Sequence, residues 1–175
     1  MKRPAWAEAT DLLRHYYDTE WGLPVTDAAG VYERIVLEGF QSGLSWATIL
    51  RKRPAFRDAF AGFDPDVVAR FDETDVARLL GDAGIVRNRR KIEAAITNAR
   101  AAVALRETGV DLAELVWSFR PDDPTEESDA GPDRPSQSAA SRALASALKK
   151  AGFVFVGPVT AYALMEAIGI LEHRA

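Results

Sequence analysis

The sequence contains no cysteine and only two histidines among its 175 residues. Without cysteine there are no disulfides, thiolate metal sites, iron–sulfur clusters or cysteine nucleophiles, and nothing points to an oxidising compartment. Long apolar runs are missing as well. No stretch approaches the roughly 20 residues that span a bilayer, and the N-terminus, with Trp6, Glu8 and Asp11, lacks the apolar centre of a signal peptide. The expectation is an intracellular, cytoplasmic protein with no membrane role. Positive charge is not in excess either. A net charge of -4 argues mildly against a phosphate-rich partner. Internal repeats and low-complexity tracts are absent. The length suits one compact domain, or two small lobes sharing an interface.

Charge is unevenly distributed. Acidic residues crowd into Asp122, Asp123, Glu126, Glu127, Asp129 and Asp133, whereas Arg87, Arg89, Arg90 and Lys91 form a tight basic group, as do Arg51, Lys52 and Arg53. Solvated helix ends account for any one such cluster taken alone. Convergence in space would make them a basic face.

Helical patterns dominate. Asp11 to Tyr17 reads as a short helix, and Thr26 or Asp27 caps the next, which runs to Ile49 or Leu50 unless broken near Gly39 or Gly43. Pro54 is expected to start a fresh segment. Asp64-Pro65 pairs an N-cap with a first-turn proline, opening a helix to about Phe71. Thr74-Asp75 opens another through Leu80, stopped by Gly84. From Asn88 the recurrence of Ile92, Ala95, Ile96, Ala99 and Val103 is helical, with Thr108-Gly109 as its stop. Asp111 caps a short helix to Trp117. Residues 120–138 read as an exposed acidic loop. Beyond it, Ala140 to Lys150 is a helix, residues 151–158 a turn, and Val159 to Ile170 a second helix. A strand at Phe153 to Val156 would have no partner to pair with. The expected fold is all-α, with a helix-hairpin-helix arrangement at its end.

One residue breaks the apolar pattern. Val31, Ile35, Glu38 and Ser42 are spaced four, three and four apart, so Glu38 falls on the stripe that should face the core. Burying an unpaired carboxylate is expensive. Either Glu38 has fixed internal donors, such as backbone N–H groups it caps, or it faces a cavity that receives a hydrogen-bond donor or a positive charge. In the hairpin, Gly152 and Gly157 allow backbone N–H groups to point outward at a helix N-terminus, with Lys149 and Lys150 alongside. That is a competent phosphate site, although a Gly-Pro turn between helices is commonly only a turn.

The order of motifs along the chain is more specific. Tyr16, Asp18, Glu20-Trp21-Gly22, Leu37-Glu38-Gly39, Gln41, Gly43-Leu44-Ser45-Trp46, Ala83-Gly84-Ile85, Arg87, Arg89, Lys91-Ile92, Asn98-Ala99, Val116-Trp117-Ser118-Phe119, Ser141, Leu148-Lys149-Lys150, Gly152-Phe153 and Phe155-Val156-Gly157 follow one another over nearly the whole length. In this series the chain resembles the 3-methyladenine DNA glycosylase I family of the helix-hairpin-helix DNA glycosylase superfamily. The resemblance implies a single glycosylase domain over residues 1–175, with two helical lobes and the base pocket between them. It also implies flipping of an alkylated nucleotide out of double-stranded DNA and hydrolysis of its N-glycosidic bond.

By the same resemblance, Glu38 is the catalytic carboxyl and Tyr16, Trp46, Trp6 and Trp21 form the base pocket. Gln41, Gly43 and Leu44 are the wedge that fills the gap left by the base. Gly152, Phe155, Val156, Gly157 and Lys149 bind DNA phosphate. An N3-alkylated adenine is cationic in DNA, so aromatic faces and a buried carboxyl group favour it over neutral adenine. Departure of the base neutralises that charge and needs little acid catalysis. No lysine stands near Val159-Thr160-Ala161, where bifunctional relatives carry a Schiff-base lysine, so strand cleavage is not expected.

The chain departs from the family at its zinc site. Family members tie their ends together with zinc through an early Cys and His and a C-terminal His and Cys. Here Pro4 and Tyr17 stand at the first pair, and only His173 is near the second. The expectation is no metal and no other cofactor, with His15 and His173 as ordinary histidines and Trp6 and Tyr17 packing the ends together. Leu13 replaces a family tyrosine. A monomer acting on alkylated DNA is the leading reading. A non-catalytic damage-binding protein and a small-ligand binder reusing the pocket are the alternatives.

Overall fold

The computed structural model describes residues 3–124 and 135–172. Within them, regular structure is entirely helical. The elements are α1 (Asp11–Thr19), α2 (Ala28–Gln41), α3 (Trp46–Ala59), α4 (Pro65–Val68), α5 (Glu73–Leu80), α6 (Arg89–Glu107), α7 (Leu112–Trp117), α8 (Ala139–Lys150) and α9 (Pro158–Ala167), with 3₁₀ turns at Ala5–Glu8 and Ala61–Phe63. Among the described residues, no helix is long and apolar enough to cross a membrane.

Side-chain caps fix most helix starts. Thr10, Asp27, Ser45, Asp64, Asn88 and Asp111 each accept a hydrogen bond from a first-turn backbone N–H. Each such cap is worth about 1 kcal/mol. Helix α5 differs from expectation at both ends. Asp72, not Thr74-Asp75, caps α5, through a reciprocal box in which Asp75 accepts from the Asp72 N–H. Helix α5 stops at Gly81 rather than Gly84.

Pro54 does not begin a new segment; it lies inside α3. Proline there removes the N–H that would bond the carbonyl of Leu50. The helix continues because Ile49 and Leu50 before it and Phe56 and Ala59 after it are all buried. Helix α4 is shorter than expected, ending at Val68, and α9 ends at Ala167 rather than Ile170. Ser42 is exposed and lies past the end of α2, so the buried stripe stops at Glu38.

Two apolar clusters organise the molecule. The larger gathers α2 to α9 around Phe40, Phe56, Phe60, Phe63, Ile92 and Leu148; the smaller joins Ala7, Leu13, Tyr16, Tyr17, Trp21, Leu50 and Ala167. Trp46 packs against both. This is the two-lobed arrangement expected of the fold, with the candidate site at the seam. Of the acidic loop, residues 125–134 lie outside the described residues and Glu126, Glu127, Asp129 and Asp133 with them; Asp122 and Asp123 are exposed. His173 is likewise outside.

Candidate functional site

A cavity of about 500 Å³ opens where the lobes meet, and Trp6, Tyr16, Trp21, Glu38 and Trp46 all line it. The five residues come from four places: the first 3₁₀ turn, α1 and the turn after it, α2, and the first residue of α3. Rings meet rings around the cavity. Tyr16 and Trp46 lie 5.7 Å apart at 51°, Trp6 meets Trp21 edge-on at 5.5 Å, and Trp21 stacks on Tyr17 at 5.3 Å. These contacts orient the aromatic walls before any ligand arrives.

Glu38 is 9% exposed. Among the described residues no group hydrogen-bonds its carboxyl, which settles the choice left by the sequence in favour of the cavity. Burial pushes its pKa from 4.5 to about 8, with the charge of Glu166 adding to the rise and Arg34 opposing it. Glu38 is therefore largely protonated near neutrality. Burial raises the phenol of Tyr16 too, helped by Glu38 and Glu20 against Arg34 and Arg53, so Tyr16 stays neutral.

An ion-pair network backs the pocket. Arg53 grips Glu20 through two hydrogen bonds of 2.6 and 2.7 Å, Arg34 reaches Glu20 at 3.4 Å and Glu33 at 3.5 Å, and the Arg53 guanidinium lies 5.8 Å from the centre of the Tyr16 ring. Arg53 is thus turned inward, Lys52 bonds the carbonyl of Ala83, and Arg51 bonds Thr48. Of the triplet, Arg53 is taken up by Glu20, while Arg51 stays exposed.

The segment expected to form a wedge follows directly. Helix α2 ends at Gln41, Gly43 adopts φ +80°, and Leu44 is exposed. Gln41, Gly43 and Leu44 line a groove beside the cavity, with Glu38 and Gln41 common to both. Lys91, one of the tight basic group, is committed to the backbone rather than to solvent. Its ammonium donates to the carbonyls of Phe40 and Ser42, holding the end of α2. Arg89 pairs with Glu73 and Glu93, and Arg87 and Arg90 are exposed.

The hairpin is a separate surface. Gly152, at φ +97°, closes α8: its N–H bonds Lys149 and the next N–H bonds Leu148, a Schellman turn that buries Phe153. Lys149, Gly152, Phe155, Val156 and Gly157 line one shallow groove. Phe155 is held at φ +60° with its ring exposed and Arg90 lying 6.0 Å from its centre. A strained non-glycine backbone that persists at a surface tip is a recurrent mark of a working segment. Asn98, 3% exposed, pins the hairpin by donating to the Val154 carbonyl at 3.0 Å and accepting from its N–H at 2.8 Å.

A methyladenine glycosylase family model matches residues 6–175. The chain belongs to that family. It is 44% identical to DNA-3-methyladenine glycosylase 1 of Escherichia coli (strain K12), over 99% of this chain and 94% of that protein. It superposes on the crystal structure of a 3-methyladenine DNA glycosylase I with a TM-score of 0.91 at 45% identity, covering 97% of this chain and 93% of that one. A variant of another 3-methyladenine DNA glycosylase I, solved in complex with 3-methyladenine, gives 0.88 at 31% identity, covering 97% and 92%.

Of the positions that the resemblance assigns to zinc, the first pair and His15 nearby fall within the described residues. Pro4 offers no ligand atom, Tyr17 is buried against Trp21, and His15 is exposed on α1. Among the described residues no group of three His, Cys, Asp or Glu side chains is arranged to hold an ion. Protein contacts surround the N-terminal segment and join it to the end of α9. Trp6 and Tyr17 pack edge-on at 5.7 Å and Arg3 forks onto Asp18 at 2.8 and 2.9 Å, but these contacts lie within the N-terminal segment and do not tie it to the other end, contrary to the expectation for Trp6 and Tyr17. Beyond them, Gly22 and Val25 donate backbone bonds to Ala167 and Ile168 at the end of α9.

Two residues near the site were given no role by the sequence. Glu166 lines the cavity, and the signal that could have found it is that it is the only charged residue of α9. Asn98 carried no such signal, because its role depends on a hairpin 56 residues away.

Proposed function

We infer that this protein is a DNA-3-methyladenine glycosylase, hydrolysing the N-glycosidic bond of 3-methyladenine in alkylated DNA during base excision repair. The observation that carries the reading is Glu38: a buried carboxyl with no hydrogen-bond donor among the described residues, facing an aromatic cavity beside an exposed wedge. An alkylated purine in that cavity offers ring faces to Tyr16 and Trp46, polar edge atoms to Glu38, and positive charge to the whole. Trp6 and Trp21 close the pocket. Gln41, Gly43 and Leu44 occupy the gap in the stack, and the Gly152–Gly157 hairpin with Lys149 holds phosphate through its outward N–H groups.

Cleavage follows from charge. The bond between the sugar and the cationic base breaks with its electron pair passing to the ring nitrogen, which neutralises the base. Water adds to the sugar carbon and gives up a proton, leaving an abasic site. With no lysine near Thr160, the chain ends its work there, without strand cleavage. We place the activity in one helical domain, acting as a monomer in the cytoplasm without zinc or another cofactor.

The test is to incubate the protein with methylated duplex DNA and analyse the freed bases, repeating with Glu38→Gln and Trp46→Ala. Release of 3-methyladenine by the wild type, strongly reduced in both variants, is expected. No release under conditions where the wild type binds abasic DNA would leave a damage-binding protein.

A further inference from the structure

Glu20 lies outside the base cavity, yet it holds a side chain from each of two helices that build it. It closes α1, where its N–H donates to the carbonyl of Tyr16, one turn back, at 2.9 Å. Arg53 takes both of its carboxylate oxygens, at 2.6 and 2.7 Å, and Arg34 reaches one of them at 3.4 Å. Arg34 stands one turn before Glu38 on α2, and Arg53 two turns after Trp46 on α3, so each shares a helix face with its pocket residue. Three helices thus carry the same pairing: Tyr16 with Glu20, Glu38 with Arg34, and Trp46 with Arg53. Tyr16, Glu38 and Trp46 line the cavity, and their three charged partners converge behind it on one carboxylate. Between α1 and α3 this makes two rungs. The aromatic rung is Tyr16 against Trp46 at 5.7 Å, and the ionic rung is Glu20 against Arg53, whose guanidinium also lies 5.8 Å from the centre of the Tyr16 ring.

We propose that Glu20 is a positioning residue of the base pocket, the shared anchor that sets the spacing and register of Tyr16, Glu38 and Trp46 by holding Arg34 and Arg53. The proposal rests on the glycosylase reading above. Apolar packing of Leu13, Tyr16 and Leu50 draws α1 and α3 together but does not fix their register, because burial is non-directional. A fork of two parallel hydrogen bonds between guanidinium and carboxylate is directional and does fix it. Catalysis is sensitive to such placement, since a displacement of about 1 Å can cost about 100-fold in rate.

The surroundings suit an anchor. The side chains of Glu20, Arg34 and Arg53 are 26%, 13% and 15% exposed, so solvent screens these pairs less than it would at an open surface. Burial pushes the Glu20 carboxyl up, but the hydrogen bonds and charge of Arg53, with Arg34, bring it below 4.5, and the group is ionised at neutral pH. The two arginines differ in what else they hold. Arg34 also reaches Glu33 at 3.5 Å, whereas Arg53 forms no other ion pair among the described residues. Loss of Glu20 therefore releases the α3 side first, and with it the Trp46 wall.

The experiment measures release of 3-methyladenine from methylated duplex DNA by wild type, Glu20→Gln, Arg53→Lys, Trp46→Ala, and Trp46→Ala combined with each of the other two. KM, affinity for abasic duplex DNA and the thermal midpoint are recorded alongside. Lysine keeps the charge of Arg53 but cannot form the fork. Glu20→Gln and Arg53→Lys should each lower kcat about tenfold, within the coupling found between groups of one network. KM and abasic-DNA affinity, which draw on the wedge and the hairpin, should stay as in wild type. On top of Trp46→Ala, either change should cost less than about threefold, because the wall that the anchor positions is already gone. Unchanged kcat in both single variants, losses that multiply in the double variants, or a fall in abasic-DNA affinity that matches the fall in kcat overturns the proposal. If Glu20→Gln is too unstable to assay, Arg53→Lys completes the same cycle and decides it. Absence of release by the wild type would instead overturn the glycosylase reading itself.

Discussion

The ammonium of Lys91 donates to the carbonyl of Ser42 at 2.5 Å and to that of Phe40 at 2.9 Å. A cation at a helix C-terminus satisfies carbonyls that the helix cannot, and it complements the negative end of the dipole. Here it also fixes the first residues of the segment assigned as the wedge. Helix α6 thereby steadies both surfaces assigned to DNA, through Lys91 at one and Asn98 at the other.

Lys91→Met should free that segment while preserving the aliphatic stem. The expected result is a loss of 3-methyladenine release of about tenfold and a stability loss of about 1.5–3 kcal/mol, the range for hydrogen bonds involving a charged group. Single-turnover kinetics and denaturant unfolding measure the two separately. If Lys91 served DNA phosphate instead, Lys91→Met would reduce the salt dependence of binding and leave stability unchanged.

Asn98→Ala removes both bonds to Val154 and leaves a backbone N–H and a carbonyl without partners near the hairpin. A cost of about 2–3 kcal/mol is expected from the two lost bonds. Affinity for duplex DNA should fall more than the cleavage rate at saturating DNA, a split that fluorescence anisotropy and saturating kinetics would reveal. Equal losses in both would show that the hairpin does not act chiefly in binding.

Glu38 makes stability depend on pH in a defined direction. Its folded pKa is raised to about 8 from 4.5, so the folded protein holds a proton that the unfolded chain releases. The contribution is fully present below 4.5, declines as pH rises, and is lost once pH passes about 8. At about 1.4 kcal/mol per pKa unit the upper bound is a few kcal/mol. Glu38→Gln removes this slope, and its stability relative to wild type should rise between mildly acidic and alkaline buffers. Urea denaturation of both proteins at the two pH values checks it; a constant difference would mean that Glu38 is ionised throughout.

Gly169 sits at φ +81°, and a Cβ there would lie 2.9 Å from the carbonyl oxygen of Gly22 and 3.1 Å from the carbonyl carbon of Leu23. These are backbone atoms of the turn that joins the N-terminal lobe to the end of α9. Gly169→Ala should therefore destabilise by more than about 1 kcal/mol, the ordinary scale for a side chain forced into positive φ. The thermal midpoint should drop, and base-pocket tryptophan fluorescence should change with it because Trp21 adjoins that turn.

Local rules made much of the helical architecture legible. The caps at Asp27, Asp64, Asn88 and Asp111, the stop at Thr108-Gly109 and the hairpin glycine at Gly152 all act within a few residues. A carboxyl group on the core-facing stripe of α2 was enough to single out Glu38. Where tertiary packing outweighs a local preference, the sequence misled: Pro54 reads as a break, yet burial on both sides of it carries α3 through. Lys91 and Arg53 read as basic surface because charge patterning cannot show whether a long side chain meets solvent, a backbone carbonyl or a carboxylate.

The sequence by itself determined that the chain is helical, that it has no thiol chemistry, and which ordered motifs tie it to the methyladenine glycosylases. These depend on residue identity and on spacing along the chain. Only the tertiary structure decided that Glu38 faces a cavity rather than internal donors, that Glu166 shares that cavity, that Asn98 grips the hairpin, and that packing and backbone bonds join the N-terminal segment to the end of α9. Each of those depends on groups far apart in the chain, and only the packing of α2 against α6 and α9 brings them within reach.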